Sequence, residues 1–267
     1  MSLTFEERKK VILNILSREE KIEVRELSKI LQVSGETIRR DLDKLDREGV
    51  LRKVYGGAVK EKTTSWDTPF QHRSMLNQEE KQEICKAAAS LIEDGDTIMI
   101  GHGTTTMNIV RHLDDKPNVM VITNSVQVLN LALEAFRGRV IFIGGEIDRN
   151  HHSSFGFLSE EIIKNFRVNK VFISASGLSM TNGITDHELE GANISRKLIE
   201  RGENTFILVD HTKFGKTTFT KICSFSDISM VITDKDCSEE WKYFLDENEI
   251  EILIAERTTN TTNVKLI

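Results

Sequence analysis

Apolar side chains in the first fifty residues recur every three or four positions, the period of an amphipathic helix. The first helix follows Thr4, which with Glu7 fits a capping box. A second, shorter helix precedes Ser34, whose hydroxyl can cap a third. The apolar stripe of this third helix consists of Ile38, Leu42 and Leu45. Two helices joined by a tight turn, the second starting at a serine cap, predict a helix-turn-helix.

The polar side of the third helix carries groups that contact DNA in such motifs. A step of about 100° per residue places Glu36 and Arg40 opposite the apolar stripe. The N-terminal part of a recognition helix enters the major groove, where arginine binds guanine edges or phosphates. Segment 50–60 predicts a basic β-hairpin wing, including Lys60, that turns at Gly56-Gly57. The candidate DNA-binding residues are Ser34, Glu36, Thr37, Arg39, Arg40, Lys44, Arg52 and Lys53.

The net charge of −6 does not oppose DNA binding, because it is unevenly distributed. Residues 1–62 hold 15 Lys and Arg against 12 Asp and Glu, whereas the remainder holds 21 against 30. Attraction to DNA depends on the field within a Debye length of about 8–10 Å, so the acidic remainder is compatible with it. On pattern alone, a protein-interaction module with a solvated charged face stays open as the alternative.

Beyond residue 76, short apolar runs alternate with amphipathic stretches. Strands are predicted at 97–100, 119–122, 140–143, 170–173, 205–209, 230–233 and 251–254, and helices at 107–113, 126–136, 159–165, 189–201 and 238–245. This alternation predicts an α/β domain with a mostly parallel sheet covered on both faces. Residues 61–76 are polar and contain Pro69, which argues against a continuous helix. We therefore expect a DNA-binding domain at 1–60, a linker at 61–76, and an α/β domain at 77–267 that begins with a helix capped at Asn77.

Five of the predicted strands end in small or polar residues, at the edge where open α/β sheets bind ligands. The first strand leads into Gly101–Thr106 and then a helix, an arrangement that favours phosphate but lacks the lysine of a P-loop. Lys213 can pair with a phosphate oxygen, and Asp210 can accept hydrogen bonds from hydroxyls. The candidate ligand-binding residues are Gly101, Gly103, Thr104, Thr105, Thr106, Thr123, Asn124, Gly144, Gly145, Ser176, Asp186, Asp210 and Lys213. Any single one of these turns can also be an ordinary connection between elements.

Two sets of motifs resemble the DeoR family of bacterial regulators, which are mostly repressors of sugar-catabolic operons. The DNA-binding set is Ser-Gly-Glu-Thr-Ile-Arg-Arg-Asp-Leu at 34–42, with Leu45, Gly49, Leu51, Arg52 and Gly-Gly-Ala at 56–58. The effector-domain set includes Gly-Thr-Thr-Thr at 103–106, Thr-Asn-Ser at 123–125, and Asp210 with Lys-Phe-Gly at 213–215. The resemblance implies a C-terminal domain similar in fold to ribose-5-phosphate isomerase and the sugar-phosphate deaminases. It also implies a sugar-phosphate effector.

These observations lead us to expect a transcriptional regulator, a repressor of a carbohydrate-metabolism operon, which binds two operator half-sites as a homo-oligomer.

The enzyme alternative, an isomerase or deaminase with a DNA-binding head, needs a positioned carboxylate base that spacing does not fix. Three nearby carboxylates, Asp186, Glu188 and Glu190, more readily cap or solvate the helix after them, although Asp186 and Glu188 can also face the ligand pocket. We expect no cofactor and no metal, because the His151-His152 pair lacks a supporting cluster and the glycines do not form a dinucleotide fingerprint. We place the chain in the cytoplasm, because it shows no signal peptide and no apolar run of about 18 residues.

Overall fold

The computed structural model describes residues 3–19, 21–47, 51–59 and 70–256. Contacts divide the chain into two units, Met1–Leu76 and Asn77–Ile267. Gly49, the predicted end of the third helix, and Lys60 of the predicted wing lie outside the described residues, as does the part of the predicted linker from 61 to 69. Each unit is described by itself.

The first unit is a helix-turn-helix with a small antiparallel sheet. Its helices are α1 (Phe5–Arg18), α2 (Val24–Leu31), α3 (Gly35–Arg47) and α4 (Phe70–Met75), and its strands are β1 (Lys21–Glu23), β2 (Arg52–Val54) and β3 (Gly57–Val59). The capping box at Thr4 is confirmed, with both reciprocal hydrogen bonds to Glu7 present. The predicted stripe of α3 is also confirmed, since Ile38, Leu42 and Leu45 are completely buried.

The wing differs from the predicted hairpin in its turn and in its neighbours. The turn is made by Tyr55 and Gly56, whereas Gly57 belongs to β3. β3 is the central strand, paired with both β2 and β1. A Cβ at position 57 would lie 2.0 Å from the carbonyl oxygen of Ile22, so Gly57 permits the close approach of β1, a strand that the sequence did not predict.

The expectation of an irregular linker over 61–76 is wrong for its last residues, which form α4. Phe70, the first residue of α4, is only 6% exposed, and Met75 packs against the core of the first unit. Burial of these side chains stabilises a helix that polar composition alone did not suggest.

The second unit is built on a seven-stranded, entirely parallel sheet of order β15-β14-β12-β9-β4-β5-β6. Its strands are β4 (Thr97–Ile100), β5 (Met120–Thr123), β6 (Arg139–Phe142), β9 (Val168–Ser174), β12 (Gly202–Leu208), β14 (Met230–Asp234) and β15 (Glu251–Ala255). These are the seven predicted strands, each shifted at its ends by three residues or fewer. The prediction of a parallel α/β domain is therefore confirmed.

Helices cover the two faces of this sheet, and short strands extend from its carboxyl edge. The helices are α5 (Gln78–Ser90), α6 (Val126–Ala135), α7 (Phe157–Ile163), α8 (Leu189–Ile199) and α9 (Glu239–Glu247). The additional strands, which the sequence did not predict, are the hairpin β7 (Glu146–Asp148) and β8 (Ser153–Phe155), and the antiparallel sheet β10 (Gly177–Ser179), β11 (Gly183–Asp186) and β13 (Thr220–Cys223). None of the helices in the described part of the chain is long and apolar enough to cross a membrane.

Alternate side chains of the central strands pack into two separate hydrophobic cores, one on each face of the sheet. In β9, Val171 and Ile173 pack with α7 and α8 on one face, whereas Phe172 packs with α5 and α6 on the other. Successive side chains of a strand point to opposite faces, so a sheet covered on both sides needs continuous apolar runs. This requirement explains why the strands were recognisable from the sequence.

Candidate functional site

The exposed face of α3 carries the predicted DNA-binding residues at its N-terminal end. The cap at Ser34 is confirmed, because its Oγ accepts a hydrogen bond of 3.1 Å from the Thr37 amide. The side chains of Arg39 and Arg40 are 58% and 80% exposed, and both lie near the carboxylate of Glu36, at 3.4 and 3.8 Å. These pairs are solvated and contribute little to stability, so a phosphate or a base edge can displace Glu36 at small cost.

Two contacts that the sequence analysis missed fix α1 against α3. Arg8 donates two hydrogen bonds to Asp41, of 2.6 and 2.9 Å, and both side chains are nearly buried. Hydrogen bonding to Asp41 raises the pKa of Arg8 above its ordinary value. The ammonium of Lys44 lies 3.8 Å from the centre of the Phe5 ring. Asp41 therefore has a structural role within the DNA-binding motif.

The predicted wing residues have different environments. Arg52 is exposed, whereas Lys53 is attached to α3. The amide of Lys53 donates a 2.9 Å hydrogen bond to Asp46, and its ammonium pairs with Asp43. These contacts hold the wing beside α3, and direct contact of Lys53 with DNA stays a prediction.

The strand order brings two sets of predicted ligand-binding residues together at one point of the second unit. From β4 the chain runs outward through β5 to β6, then crosses to β9 on the other side of β4. The order of the strands therefore reverses between β4 and β9, and open α/β sheets bind ligands at such switch points. The loop 101–106 follows β4, and Ser176 follows β9.

The loop 101–106 is closely packed against the end of β9. Gly103 has φ +140°, and a Cβ there would lie 2.0 Å from Ser174 Oγ. Ser174 Oγ donates to the carbonyl of His102 at 3.2 Å, and the Cys85 thiol donates to the carbonyl of Thr105 at 2.6 Å. Gly103 is thus required by the fold, whatever the loop binds.

One expectation about this edge needs correction. The predicted helix 107–113 is only a 3-10 helix, Ile109–His112, so no α-helix N-terminus faces a ligand at the loop. The hydroxyls of Thr106 and Thr123 donate to backbone carbonyls, of Gly101 at 2.9 Å and of Ile100 at 2.7 Å. Both side chains are completely buried and hold the loop and the strand end together, and their contact with a ligand stays a prediction.

After β5 lies a buried hydrogen-bond acceptor without a partner among the described residues, and after β6 lies a glycine with free space around it. Asn124 is completely buried and donates to the carbonyl of Ser154 at 3.0 Å, while its Oδ1 has no hydrogen-bond partner among the described residues. A Cβ at Gly144 would meet nothing within 4 Å, whereas one at Gly145 would lie 2.1 Å from Ser159 Oγ. Gly145 therefore allows the close packing of Ser159, whereas Gly144 leaves space at the carboxyl edge of the sheet.

Asp186, at the end of β11, is a buried carboxylate with several hydrogen-bond donors around it. Its Oδ1 accepts hydrogen bonds from Ser176 Oγ at 3.0 Å and from the His187 amide at 2.7 Å, and its Oδ2 lies 4.0 Å from His102 Nε2. Burial raises the pKa of Asp186, but hydrogen bonding to His187, the charge of His102 and the Ser176 hydroxyl outweigh it, so the pKa lies well below its ordinary value. A buried, ionised carboxylate next to a switch point can accept hydrogen bonds from ligand hydroxyls.

Three histidines converge beside Asp186, which the sequence analysis missed. His102 and His151 contact the ring of Phe155, with ring centres 5.0 and 5.8 Å away, and His187 lies 5.8 Å from His151. His151 Nδ1 hydrogen-bonds Asp148 at 2.9 Å. The sequence analysis found no cluster that supports the His151-His152 pair, whereas the fold brings His102 and His187 close to His151. Positions 102, 151 and 187 gave no local signal because they are far apart in sequence.

The histidine group is not arranged as a preformed metal site. In the described part of the chain, three potential ligand atoms lie within 4.8 Å of one another at His211, Asp234 and Asp236. There the Asp234 carboxylate accepts hydrogen bonds from the amide of Asp236, at 3.0 Å in the turn after β14, and from the amide of His211, at 2.7 Å from the segment after β12.

Asp210 and Lys213 follow β12, next to β9 in the sheet. Asp210 is 1% exposed, and its Oδ1 accepts hydrogen bonds from the amide of Thr212 and from the side chain of Asn77, each at 3.1 Å. Burial raises the pKa of Asp210, and the charge of Lys213, the Thr212 hydroxyl and the charge of Lys81 lower it more strongly. The predicted side-chain cap at Asn77 is wrong, because this side chain bonds Asp210 and makes no cap to α5.

Comparison with protein families matches both units of the chain. Residues 8–64 match the DeoR-like helix-turn-helix domain, and residues 76–235 match the DeoR C-terminal sensor domain. The chain is 34% identical to the HTH-type transcriptional regulator IolR of Bacillus subtilis over 86% of this chain and 91% of that protein. It is 31% identical to the HTH-type transcriptional repressor GlcR of Bacillus subtilis, over 94% of this chain and 97% of GlcR.

Part of the chain also aligns with solved structures. Ribose 5-phosphate isomerase A of Methanocaldococcus jannaschii aligns with 52% of this chain and 55% of its own, at 18% identity and a TM-score of 0.39. The fold assignment follows from the family matches and the strand order. The matched families and the named relatives are regulators and not enzymes, in agreement with the sequence-based expectation. The chain belongs to the DeoR family of helix-turn-helix transcriptional regulators.

Proposed function

We propose that this protein represses a carbohydrate-metabolism operon and that a phosphorylated sugar, bound at the switch point of its sheet, relieves the repression. Residues 1–60 bind operator DNA, residues 61–76 link the two domains, and residues 77–267 form the sensor. The protein acts in the cytoplasm as a homo-oligomer whose paired recognition helices meet two half-sites.

The DNA-binding part of this proposal is supported by the exposed polar face of α3. Arg39 and Arg40 project from the N-terminal half of the helix, the part that enters the major groove in helix-turn-helix proteins. Repression is supported by the names of relatives, which include GlcR and the putative aga operon transcriptional repressor of Escherichia coli O157:H7, 28% identical over 93% of this chain.

The observation that carries the sensor proposal is the position of the loop 101–106 at the reversal between β4 and β9. The loop contains Gly103 with φ +140°, and backbone amides of such glycine-containing loops favour anions. Lys213 supplies a cation two strands along the sheet, while the carboxylates of Asp186 and Asp210 can accept hydrogen bonds from sugar hydroxyls. An anionic group and several hydroxyls are the features of a sugar phosphate.

For the ligand to control DNA binding, it must bind one conformational state more tightly than the other. A sugar phosphate that prefers the state with low DNA affinity shifts the population towards it and releases the operator. The coupling free energy is reciprocal, so operator DNA weakens the binding of the sugar phosphate by the same factor.

The test combines DNA and ligand binding by the full chain. Gel shifts with the upstream region of its own gene should give an affinity that falls steeply as salt rises, because phosphate contacts release counterions. A thermal-shift screen with pentose and hexose phosphates should identify a ligand, since a ligand at 100 times its Kd stabilises by about 2.7 kcal/mol. Salt-independent DNA binding would contradict the first part, and a screen with no stabilising phosphate would contradict the second.

A further inference from the structure

Asp210 connects the ligand edge of the sheet to the start of the sensor unit. Its Oδ1 accepts hydrogen bonds from the amide and hydroxyl of Thr212, which belong to the turn after β12, and from Nδ2 of Asn77. Asn77 is 133 residues away in sequence and is the first residue of the second unit. A single buried carboxylate oxygen therefore joins the predicted ligand-binding turn to the point where the sensor begins.

Two lysines on different elements balance the charge of Asp210. Lys213 lies in the turn after β12, and Lys81 lies in the first turn of α5. Lys81 is 5% exposed and Asp210 is 1% exposed, so water screens their interaction weakly. The positive charges of both lysines help to hold the pKa of Asp210 below its ordinary value although burial opposes this, and the carboxylate is ionised at neutral pH.

Asn77 turns the chain into α5 with a left-handed backbone. Its φ and ψ are 50° and 44°, and its carbonyl accepts the 3.0 Å hydrogen bond of the Lys81 amide. Outside glycine, asparagine and aspartate adopt this conformation most readily. The side chain makes no cap to α5, so its hydrogen bond to Asp210 is what ties this bend to the end of β12.

We propose that the Asn77–Asp210 contact couples occupancy of the ligand site to DNA affinity. This inference rests on the proposed function. An anionic group that takes Lys213 as its partner removes one of the two cations that balance Asp210. The charge of the Asp210 carboxylate is then stabilised mainly by the hydrogen bond from Asn77 and by the ammonium of Lys81. The hydrogen bond that holds the bend at Asn77 therefore changes in strength. Occupied and empty sites thereby favour different states of the segment that leads to the DNA-binding unit.

Substitutions at position 77 can remove this contact without opposing the backbone. Asn77→Gly keeps the left-handed conformation available and deletes the amide. Asn77→Asp keeps the size of the side chain and places a second carboxylate against Asp210. Asn118→Ala is the matched control, because it removes another asparagine–carboxylate hydrogen bond of the same domain, the 2.7 Å contact with Asp94.

The experiment measures the Kd of the full chain for its own upstream DNA with and without a saturating probe. The probes are inorganic phosphate and the pentose or hexose phosphate that gives the largest shift in the thermal screen. In the wild type and in Asn118→Ala we expect the sugar phosphate to weaken DNA binding by about 5- to 150-fold, the usual range of allosteric coupling. In Asn77→Gly and Asn77→Asp the ratio should fall below about threefold, while the probe itself still binds.

The outcomes separate this inference from the proposed function. If no sugar phosphate changes the DNA affinity of the wild type, both the proposed function and the coupling contact are overturned. A responsive wild type with equally responsive position-77 variants overturns the coupling contact alone, as does loss of the response in Asn118→Ala. Hydrogen exchange of the wild type gives a readout that needs no variant: the probe should change protection of the Lys81 amide, and unchanged protection would overturn the coupling contact.

Discussion

Arg8 on α1 and Asp41 on α3 form a two-pronged ion pair, with hydrogen bonds of 2.6 and 2.9 Å. Their side chains are only 11% and 7% exposed. Asp41 lies within the Arg-Arg-Asp-Leu run that resembles the family signature, next to Arg40, which is 80% exposed. Adjacent residues of one motif thus have separate tasks, since Arg40 faces solvent and Asp41 holds the helix in place.

Asp41→Ala should destabilise the first unit by about 3–5 kcal/mol, because it leaves the guanidinium of Arg8 nearly buried without its carboxylate. Hydrogen exchange of the α3 amides, together with urea unfolding followed by circular dichroism, measures the change. Glu36→Ala is the control on the same helix. It removes only solvated pairs and should cost less than about 1 kcal/mol. Equal costs in the two variants would contradict the structural role of Asp41.

Arg40→Ala should weaken operator binding by about 1–3 kcal/mol, mainly in specific affinity, because a bidentate contact with a base edge is lost. A titration at fixed salt with operator and with unrelated DNA measures both terms. Arg111→Ala, an exposed arginine of the other unit, controls for the loss of one positive charge. Wild-type operator affinity in Arg40→Ala would exclude the role assigned to this residue.

Thr105→Ala and Lys213→Ala should impair the response to sugar phosphate while DNA binding without ligand stays nearly intact. Thr105 lies in the loop at the switch point, and Lys213 supplies the cation. Isothermal calorimetry with the sugar phosphate from the screen measures ligand affinity, and gel shifts measure DNA affinity. Unaltered ligand affinity in both variants would count against the proposed site.

Two glycine substitutions distinguish a position that leaves room for a ligand from one that close packing requires. The first is Gly144→Ala and the second is Gly103→Ala. An added Cβ at Gly144 meets no atom within 4 Å, so stability should change by less than about 0.5 kcal/mol. Ligand affinity should fall, since the methyl group occupies the open edge. At Gly103, φ of +140° and Ser174 Oγ 2.0 Å from the new Cβ predict a loss of stability of about 1–3 kcal/mol or more. Thermal unfolding and calorimetry distinguish the two, and wild-type ligand affinity in Gly144→Ala would refute its placement in the site.

Asp186→Asn should destabilise the second unit at neutral pH by about 2 kcal/mol, the usual loss for a hydrogen bond to a charged group. Because the folded pKa of Asp186 lies below its ordinary value of 3.8, the ionised carboxylate stabilises the fold above about pH 4. That contribution is lost as the pH falls through the folded pKa. The difference in unfolding free energy between wild type and variant should therefore persist from about pH 7 to pH 5 and shrink below pH 4. A difference that grows on acidification below pH 4 would contradict the direction of the shift.

Local patterns in the sequence determined the elements of the protein and much of its family signature. The cap at Ser34, the buried stripe of α3 and the seven parallel strands depend on interactions between near neighbours or on the period of apolar residues. Such signals are visible in a few consecutive positions. The short strand β1 and the helix α4 were missed because burial against distant residues stabilises them more than their own composition does.

Only the tertiary structure decided which candidate residues meet. The order of the strands places the loop 101–106 beside the end of β9. It also brings His102 and His151 to the ring of Phe155, and His187 to His151, from positions far apart in the chain. Likewise, the sequence marked Asn77 as a helix cap, whereas the fold brings its side chain to Asp210. Caps and amphipathic periods are set within a few residues of the chain. Strand order and the partners of buried polar groups are set by long-range packing and by the cost of leaving a buried charge without hydrogen bonds.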